Sequence, residues 1–308
     1  MSKQFLSRGC PACGASAALA VKDVASEPTA EATAYSELIP VWNGFFKDKV
    51  FFSYQRCGQC GLLYAPLFFT PEQLEELYAQ MPPNMDLVPI EALRKTQRGY
   101  FQSLKELSSL QGDYIEIGPD IGLFTENCVR EGQFGKYWLF EPNRDIVPAL
   151  TETMQGKQHE IIHDMFGFSQ VPDKAAGAAV MVHVLDHLLD PVATLRELRE
   201  KLMPGARLAI VTHDESSLLR RVFGKRWPAF CLQHPEIYNP RSMKRLLDTA
   251  GYDVVQLRKT VNHFPVQFLL RHLLWALGLK IKSVPSFGGI TVGLKLGNMI
   301  TIATPKAN

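Results

Sequence analysis

Two cysteine pairs, one glycine-bearing turn and four histidines are the residues of this chain whose types and spacing suit chemistry. Cys10-Pro-Ala-Cys13-Gly14 and Cys57-Gly-Gln-Cys60-Gly61 are both C-x-x-C-G knuckles. Such a turn points two sulfurs at one ion, and two of them supply the four thiolates of a closed tetrahedral zinc site. Because protein sulfurs fill every position, the expected zinc is structural, with Cys10, Cys13, Cys57 and Cys60 as ligands. Reduced thiols or a dithiol redox pair are the alternatives. Cys128 and Cys231 read as unrelated core thiols.

The turn lies in residues 114–126, YIEIGPDIGLFTE. Residues 114–117 have the apolar character of a short buried strand, with the acid Glu116 near its end. Gly118 and Gly122 let the backbone turn tightly, and residues 123–130 continue as a helix. A strand, a glycine turn and a helix N-terminus present free backbone N–H groups to a polar ligand, which suits a nucleotide. A purely structural turn is the bland alternative.

The chain beyond this turn carries further groups on a regular frame. Strands are expected at 136–140, 159–163, 176–184 and 207–212, alternating with helices, which argues for a parallel sheet covered on both faces. Asp190-Pro191 opens a helix to residue 202, and Pro204-Gly205 ends it. Glu141, just after the second strand, suits a ribose, since a carboxylate accepts from both hydroxyls. Asp164 and Met165 end the third strand and suit an adenine amino group. His183 ends the fourth.

The rest of the chain bounds the answer. A length of 308 residues suggests one large core plus an accessory piece. The hydrophobic fraction of 46% and charged fraction of 21% are those of an ordinary globular protein. A net charge of +2 makes no demand for nucleic acid or an anionic membrane. The first residues lack the apolar core of a signal peptide, so the expected location is cytoplasmic. The apolar run 264–279 is broken by Gln267, Arg271 and His272 and is too short to span a membrane. It is expected to pack on the sheet or on a second copy in a homodimer. Contact with a membrane surface is the alternative. The expected divisions are a zinc ribbon (1–69), a helical bridge (70–110) opened by Thr70-Pro71, and a main α/β domain (111–308) with a helical insertion at about 263–296.

EIGPDIG, LFEPN, VMVHVLDHLLDPVATLRELREKLMPGARLAIVTHD and RWPAFCLQHPEIYNPRSMKRLLDTAGY, in this order, resemble the class I S-adenosylmethionine-dependent methyltransferases. The resemblance is to a branch with an N-terminal zinc ribbon that acts in small-molecule or glycan biosynthesis, and it spans about residues 10–306. It implies a Rossmann-like seven-stranded sheet, mostly parallel, with strand 252–259 and a last, antiparallel strand at 299–304. It places Glu116, Gly118 and Gly122 at the methionine end of the cofactor, Glu141 on the ribose and Asp164 with Met165 on the adenine side. His183 falls on the methionine and acceptor side. Asp120 departs from the pattern, standing where a glycine is usual. A G-x-G-x-x-G dinucleotide fingerprint is absent, which ranks a dehydrogenase low.

The resemblance implies methyl transfer to a small or carrier-linked acceptor, with a nucleotide sugar or glycan unit as the class. A catalytically degenerate zinc-ribbon scaffold is the alternative. Methyl transfer needs alignment of the nucleophile and, for a hydroxyl or carbon acid, removal of a proton. His183, His187, His213 and His234 are the candidate bases. His234, within QHPEIY, ranks first and His183 second, while Asp186 and His187 read as structural. Arg220, Arg221, Lys225 and Arg226 lie beside two aromatics and suit a substrate phosphate, or simply a solvated helix face.

Overall fold

Residues 111–117 form a strand because apolar and β-branched residues alternate between two covered faces. The computed structural model describes residues 5–42, 50–79, 88–164, 167–276 and 289–307. Its central sheet contains β1 (Gln111–Ile117), β2 (Gln133–Phe140), β3 (His159–Ile162), β4 (Ala176–Val182), β5 (Leu202–His213), β6 (Tyr252–Lys259) and β7 (Asn298–Pro305). The order is β6-β7-β5-β4-β1-β2-β3. β7 runs antiparallel to β5 and β6, and the pairings among β5, β4, β1, β2 and β3 are parallel.

Alternate residues of the parallel strands face opposite cores, the signature of a sheet buried on both sides. Ile115, Ile117, Ala179, Met181, Leu208 and Ile210 enter one core. Tyr114, Ala178, Val180, Ala209 and Val211 enter the other. The first core is covered by α5 (Pro191–Lys201) and α7 (Pro240–Ala250). The second is covered by α2 (Ile90–Lys105), α3 (Thr125–Glu131) and α4 (Val147–Thr153). Two further helices, α1 (Pro71–Ala79) and α6 (Leu218–Phe223), lie outside these layers, as does α8 (Val266–Ala276).

Local signals set the helix ends. Thr70 Oγ1 accepts from the Gln73 amide at 3.3 Å, and Gln73 Oε1 accepts from the Thr70 amide at 2.9 Å, a reciprocal cap for α1. Asp190 caps α5 by accepting from Ala193 N at 3.0 Å. α7 carries a capping box between Asn239 and Ser242.

The cysteine-rich region is joined to this frame, not appended to it. Ala20–Val24 pairs with Tyr54–Cys57, which pairs with Leu63–Tyr64, and the fourth strand is Glu236–Ile237 from the far end of the chain. Cys10, Cys57, Cys60, Leu62 and Tyr64 share the first core of the central sheet.

Several expectations need correction. Within the helical bridge expected at 70–110, the second helix, α2, stops at Lys105. The helix expected to run to residue 202 stops at Lys201, before Pro204 and Gly205, which lie in a register shift inside β5. The insertion at about 263–296 is not simply helical. Asn262–Pro265 pairs antiparallel with Thr291–Leu294, and α8 rises from that arm. Alternating apolar residues at both ends of the segment favour a strand pair, and helical spacing prevails only between them. Met81-Pro-Pro-Asn, a sequence that breaks a helix, lies between α1 and α2 in the chain and outside the described residues. No helix among the described residues is long and apolar enough to cross a membrane.

Candidate active site at the C-terminal edge of the sheet

The register sets where the site must be. Ile117 pairs with Phe140 and with Met181, Phe140 with Ile162, and Met181 with Ile210. Gly118, Glu141, His163 and His183 therefore all emerge just past one edge of the sheet. That edge holds the reversal of strand order between β1 and β4, the crevice where open α/β sheets bind ligands.

The first turn is built for close approach. Gly118 has φ 66°, and a Cβ there would lie 2.6 Å from Val184 Cγ2. Gly122 has φ 79°, with Leu150 and Thr153 2.9 Å from the place of its Cβ. Both positions need the left-handed conformation and the missing side chain. Asp120, where the family pattern has glycine, also adopts φ 51°. Its backbone N–H donates to Glu141 Oε2 at 3.0 Å, while Asn143 N donates to Oε1 at 2.9 Å. Glu141 thus stands on the floor of the cleft, 6% exposed, and burial pushes its carboxyl upward against these two amides. His163 Nδ1 sits 2.9 Å from the Glu141 carbonyl and fixes the strand end. Asp164 is exposed just beyond β3. Met165 lies outside the described residues.

Glu116 is placed differently from a contact residue. It is 1% exposed and its carboxylate accepts from the hydroxyls of Tyr114 and Thr125, so it anchors the start of α3 from below. Burial pushes its carboxyl up to about 7, against those two hydroxyls. The unfolded group titrates near 4.5. Between 4.5 and 7 the folded state therefore binds more protons than the unfolded state, and stability falls as pH rises through that window. We expect Glu116→Gln to flatten the profile, gaining on the order of 3 kcal/mol relative to wild type at pH 8 compared with pH 4.5. Thermal melts of both proteins across that range check it; parallel profiles would show that Glu116 does not titrate this way.

The four histidines come together. Ring centroids are 4.9 Å apart for His183 and His213, 4.7 Å for His213 and His234, and 4.8 Å for His234 and His187. They come from the end of β4, the 3-10 turn Leu185–His187, the end of β5 and the segment before Glu236–Ile237. His183 has φ 55°, and its amide donates to the Val211 carbonyl at 2.9 Å, turning the chain off the sheet. His213 Nδ1 donates to Asp186 Oδ2 at 2.8 Å. His187 Nδ1 lies 3.0 Å from the Tyr78 hydroxyl, so α1 reaches the same face. His234 is 7% exposed, with Nδ1 2.7 Å from the Ala229 carbonyl and 3.3 Å from Cys231 Sγ.

Environment splits their proton affinities. Burial drives His183 and His187 down to about 3, helped by the neighbouring imidazoles. His213 is also lowered by burial, partly offset by Asp186. Burial would raise Asp186, but His213 holds it well below the carboxylate range. Burial would lower His234 too, yet Cys231 lifts it to about 10, and Cys231 is itself lowered by His234 despite its burial. The shift for His234 is therefore upward, opposite to that of the other three imidazoles.

The segment bearing His234 is held by residues that sequence reasoning missed. Tyr54 donates its hydroxyl to the His234 carbonyl at 2.5 Å, and Ala65 N donates to the Pro235 carbonyl at 2.8 Å. Arg8 forms a buried ion pair with Glu236 and donates to the Pro235 and Leu189 carbonyls at 3.1 and 3.2 Å. Nothing local to Arg8 or Tyr54 signals this; only Glu236, an acid inside an apolar QHPEIY, calls for a buried cation. Asp186 and Cys231, read as a structural acid and an unrelated thiol, are partners of His213 and His234. Arg220 pairs with Asp23 at 3.3 Å and stacks on Phe230 at 4.8 Å, so it braces the ribbon. Arg221, Lys225 and Arg226 are exposed.

The cysteines form a second centre. Cys10 and Cys60 sulfurs are 3.5 Å apart and those of Cys13 and Cys57 3.7 Å. All four sulfurs lie within 4.8 Å of one another, and none is in a disulfide.

Comparison with known proteins accords with this geometry. A family model described as a methyltransferase domain matches residues 92–257, more than half of the chain. No curated protein matches it. One similar solved structure comes from the complex between the Haloferax volcanii Trm112 methyltransferase activator and a protein described as a methyltransferase. It has 11% identity and a TM-score of 0.51, covering 71% of this chain and 92% of the other. A Bacillus halodurans C-125 protein described as a methyltransferase has 15% identity and a TM-score of 0.50, covering 68% and 99%. At these identities the solved structures speak for the fold alone. The family match, which spans the strand, turn and acid described above, gives the assignment: the chain belongs to the class I S-adenosylmethionine-dependent methyltransferases.

Proposed function

We propose that the protein transfers a methyl group from S-adenosylmethionine to a small or carrier-linked acceptor held against the histidine face. The observation that carries this reading is the convergence at one edge of the sheet of Gly118, Glu141 and His183, set by strand register, with His234 joined to them through His213. When bound, the cofactor supplies an already activated methyl group, so the chain must bind, orient and exclude water. Gly118 and Gly122 give the methionine end room, Glu141 accepts from the ribose hydroxyls, and Asp164 with Met165 takes the adenine side. Glu116 acts from below, by holding the turn. His183 borders the methionine and acceptor side, and His234 orients the acceptor. A nucleotide sugar or glycan unit is the acceptor class that the sequence resemblance favours.

Glu141 provides the direct test. Calorimetry is expected to show binding of both S-adenosylmethionine and its demethylated product. Glu141→Ala removes a charge-assisted acceptor and should weaken both by about 1.5–3 kcal/mol, roughly tenfold or more. No binding at about millimolar cofactor would sink the reading.

We further propose that Cys10, Cys13, Cys57 and Cys60 hold one structural zinc, since four sulfurs this close match a tetrahedral thiolate set. The ion would act at a distance, by fixing the ribbon whose Tyr54 and Ala65 hold the His234 segment. In this reading residues 1–69 are the ribbon, 70–110 the helical bridge and 111–308 the methyltransferase domain.

A further inference from the structure

Buried polar atoms almost always find partners, so orphans mark a missing group. Two belong to neighbouring side chains of the histidine face. Asp186 is 0% exposed, and its Oδ1 has no hydrogen-bond partner. His183 Nδ1 is buried and also has none.

We propose that His183, Asp186 and His213 bind one divalent transition-metal ion at the acceptor face. A nitrogen of each imidazole and a carboxylate oxygen lie within 4.8 Å of one another. Donors around a single ion at bond lengths of about 2.0–2.2 Å stand roughly 3–4.4 Å apart, so small side-chain shifts complete the set. Two imidazoles and a carboxylate suit zinc, iron(II) or cobalt(II); calcium and magnesium prefer all-oxygen shells. A lone His213–Asp186 pair would satisfy only one carboxylate oxygen and would leave His183 Nδ1 unexplained. An ion among them would displace the proton shared by His213 Nδ1 and Asp186, give both orphans a partner and balance a fully buried negative charge.

The surroundings are those of a ligand set held from behind. Asn298 Nδ2 lies 3.1 Å from His183 Nε2. Amide oxygen and nitrogen are interchangeable by a half-turn. With Oδ1 turned inward, Asn298 accepts from Nε2–H and frees the Nδ1 lone pair for the ion, the outer-shell arrangement usual for metal-bound histidine. Asn298 is itself fixed opposite His213 in the β5–β7 register, so one ladder sets both. Three protein ligands leave a coordination position open, as in catalytic sites. On the methyl-transfer reading, that position takes an acceptor oxygen and lowers the pKa of its hydroxyl, so that its proton leaves to solvent before the methyl group is transferred. Metal binding itself does not depend on that reading.

Cobalt(II) is the probe. Added to zinc-replete protein, it is expected to bind at one equivalent per chain with visible bands of nitrogen and oxygen ligation and no thiolate charge-transfer band. Asp186→Asn and His213→Gln should each weaken this binding at least about 10–100-fold, the loss already seen when outer-shell partners of ligands are removed. Titration with the demethylated cofactor on the same preparations tests the methyltransferase reading separately and reports folding of each variant. If one variant does not fold, the other carries the comparison. Wild-type protein that takes up no cobalt outside the thiolate site overturns the proposal. So does a folded variant with unchanged cobalt affinity; a water bridging the two orphans would give that result.

Discussion

Cys57→Ser is expected to release the bound zinc and to unfold the ribbon while leaving the central sheet intact. Structural zinc contributes about 10–16 kcal/mol in small zinc-binding peptides, which exceeds what a piece of this size gains from its own core. The strands Ala20–Val24, Tyr54–Cys57 and Leu63–Tyr64 should therefore lose hydrogen-exchange protection, and β1, β4 and β5 should keep theirs. The functional loss should be selective. Tyr54 and Ala65 hold the segment carrying His234, whereas the turn at Gly118 and the Glu141 carboxylate rest on α3, α4 and the sheet. Cofactor affinity is expected to change by less than about threefold, and methyl transfer by far more. Metal analysis, exchange mapping and calorimetry on one preparation check this. Wild-type protein that folds without metal would end the zinc proposal.

The second large effect is expected at His234. His234→Ala should lower methyl transfer on the order of 10²-fold, the cost of misplacing an acceptor that must attack in line. Cofactor affinity should stay nearly unchanged, because His234 lies across the histidine cluster from the Gly118 turn. A purely supportive role is the competing outcome, since the ring is buried and bonded to the Ala229 carbonyl. In that case the melting temperature drops and turnover per folded molecule stays normal. Single-turnover transfer from labelled cofactor, measured beside a thermal melt, separates the two. A stable variant with near-normal turnover would remove His234 from the reaction and leave His183 as the next group to replace.

Much of this site was legible in the chain itself, because the signals are short-range. The knuckle spacing set the four sulfurs, and the structure draws them together as expected. Alternating apolar strands separated by capped helices gave the parallel sheet, and an acid one residue past a strand had to sit at its edge. Gly118 and Gly122 were readable as turn glycines because positive φ is a local requirement. Four histidines were readable as candidates, but not as one cluster. Their meeting depends on β4 and β5 lying side by side and on a segment 21 residues after His213 folding back over them. That return is secured by Glu236–Ile237 pairing with Leu63–Tyr64 and by Arg8 reaching Glu236 across 228 positions, contacts that no local pattern encodes. Proton affinities were decided the same way. Composition gives every imidazole the same starting pKa; burial lowers three of them and Cys231 raises the fourth. Sequence determined which groups this protein has and the periods that place them on elements. Tertiary packing alone decided which of them meet, because pairing energy between distant strands and desolvation of side chains exist only once the chain has closed on itself.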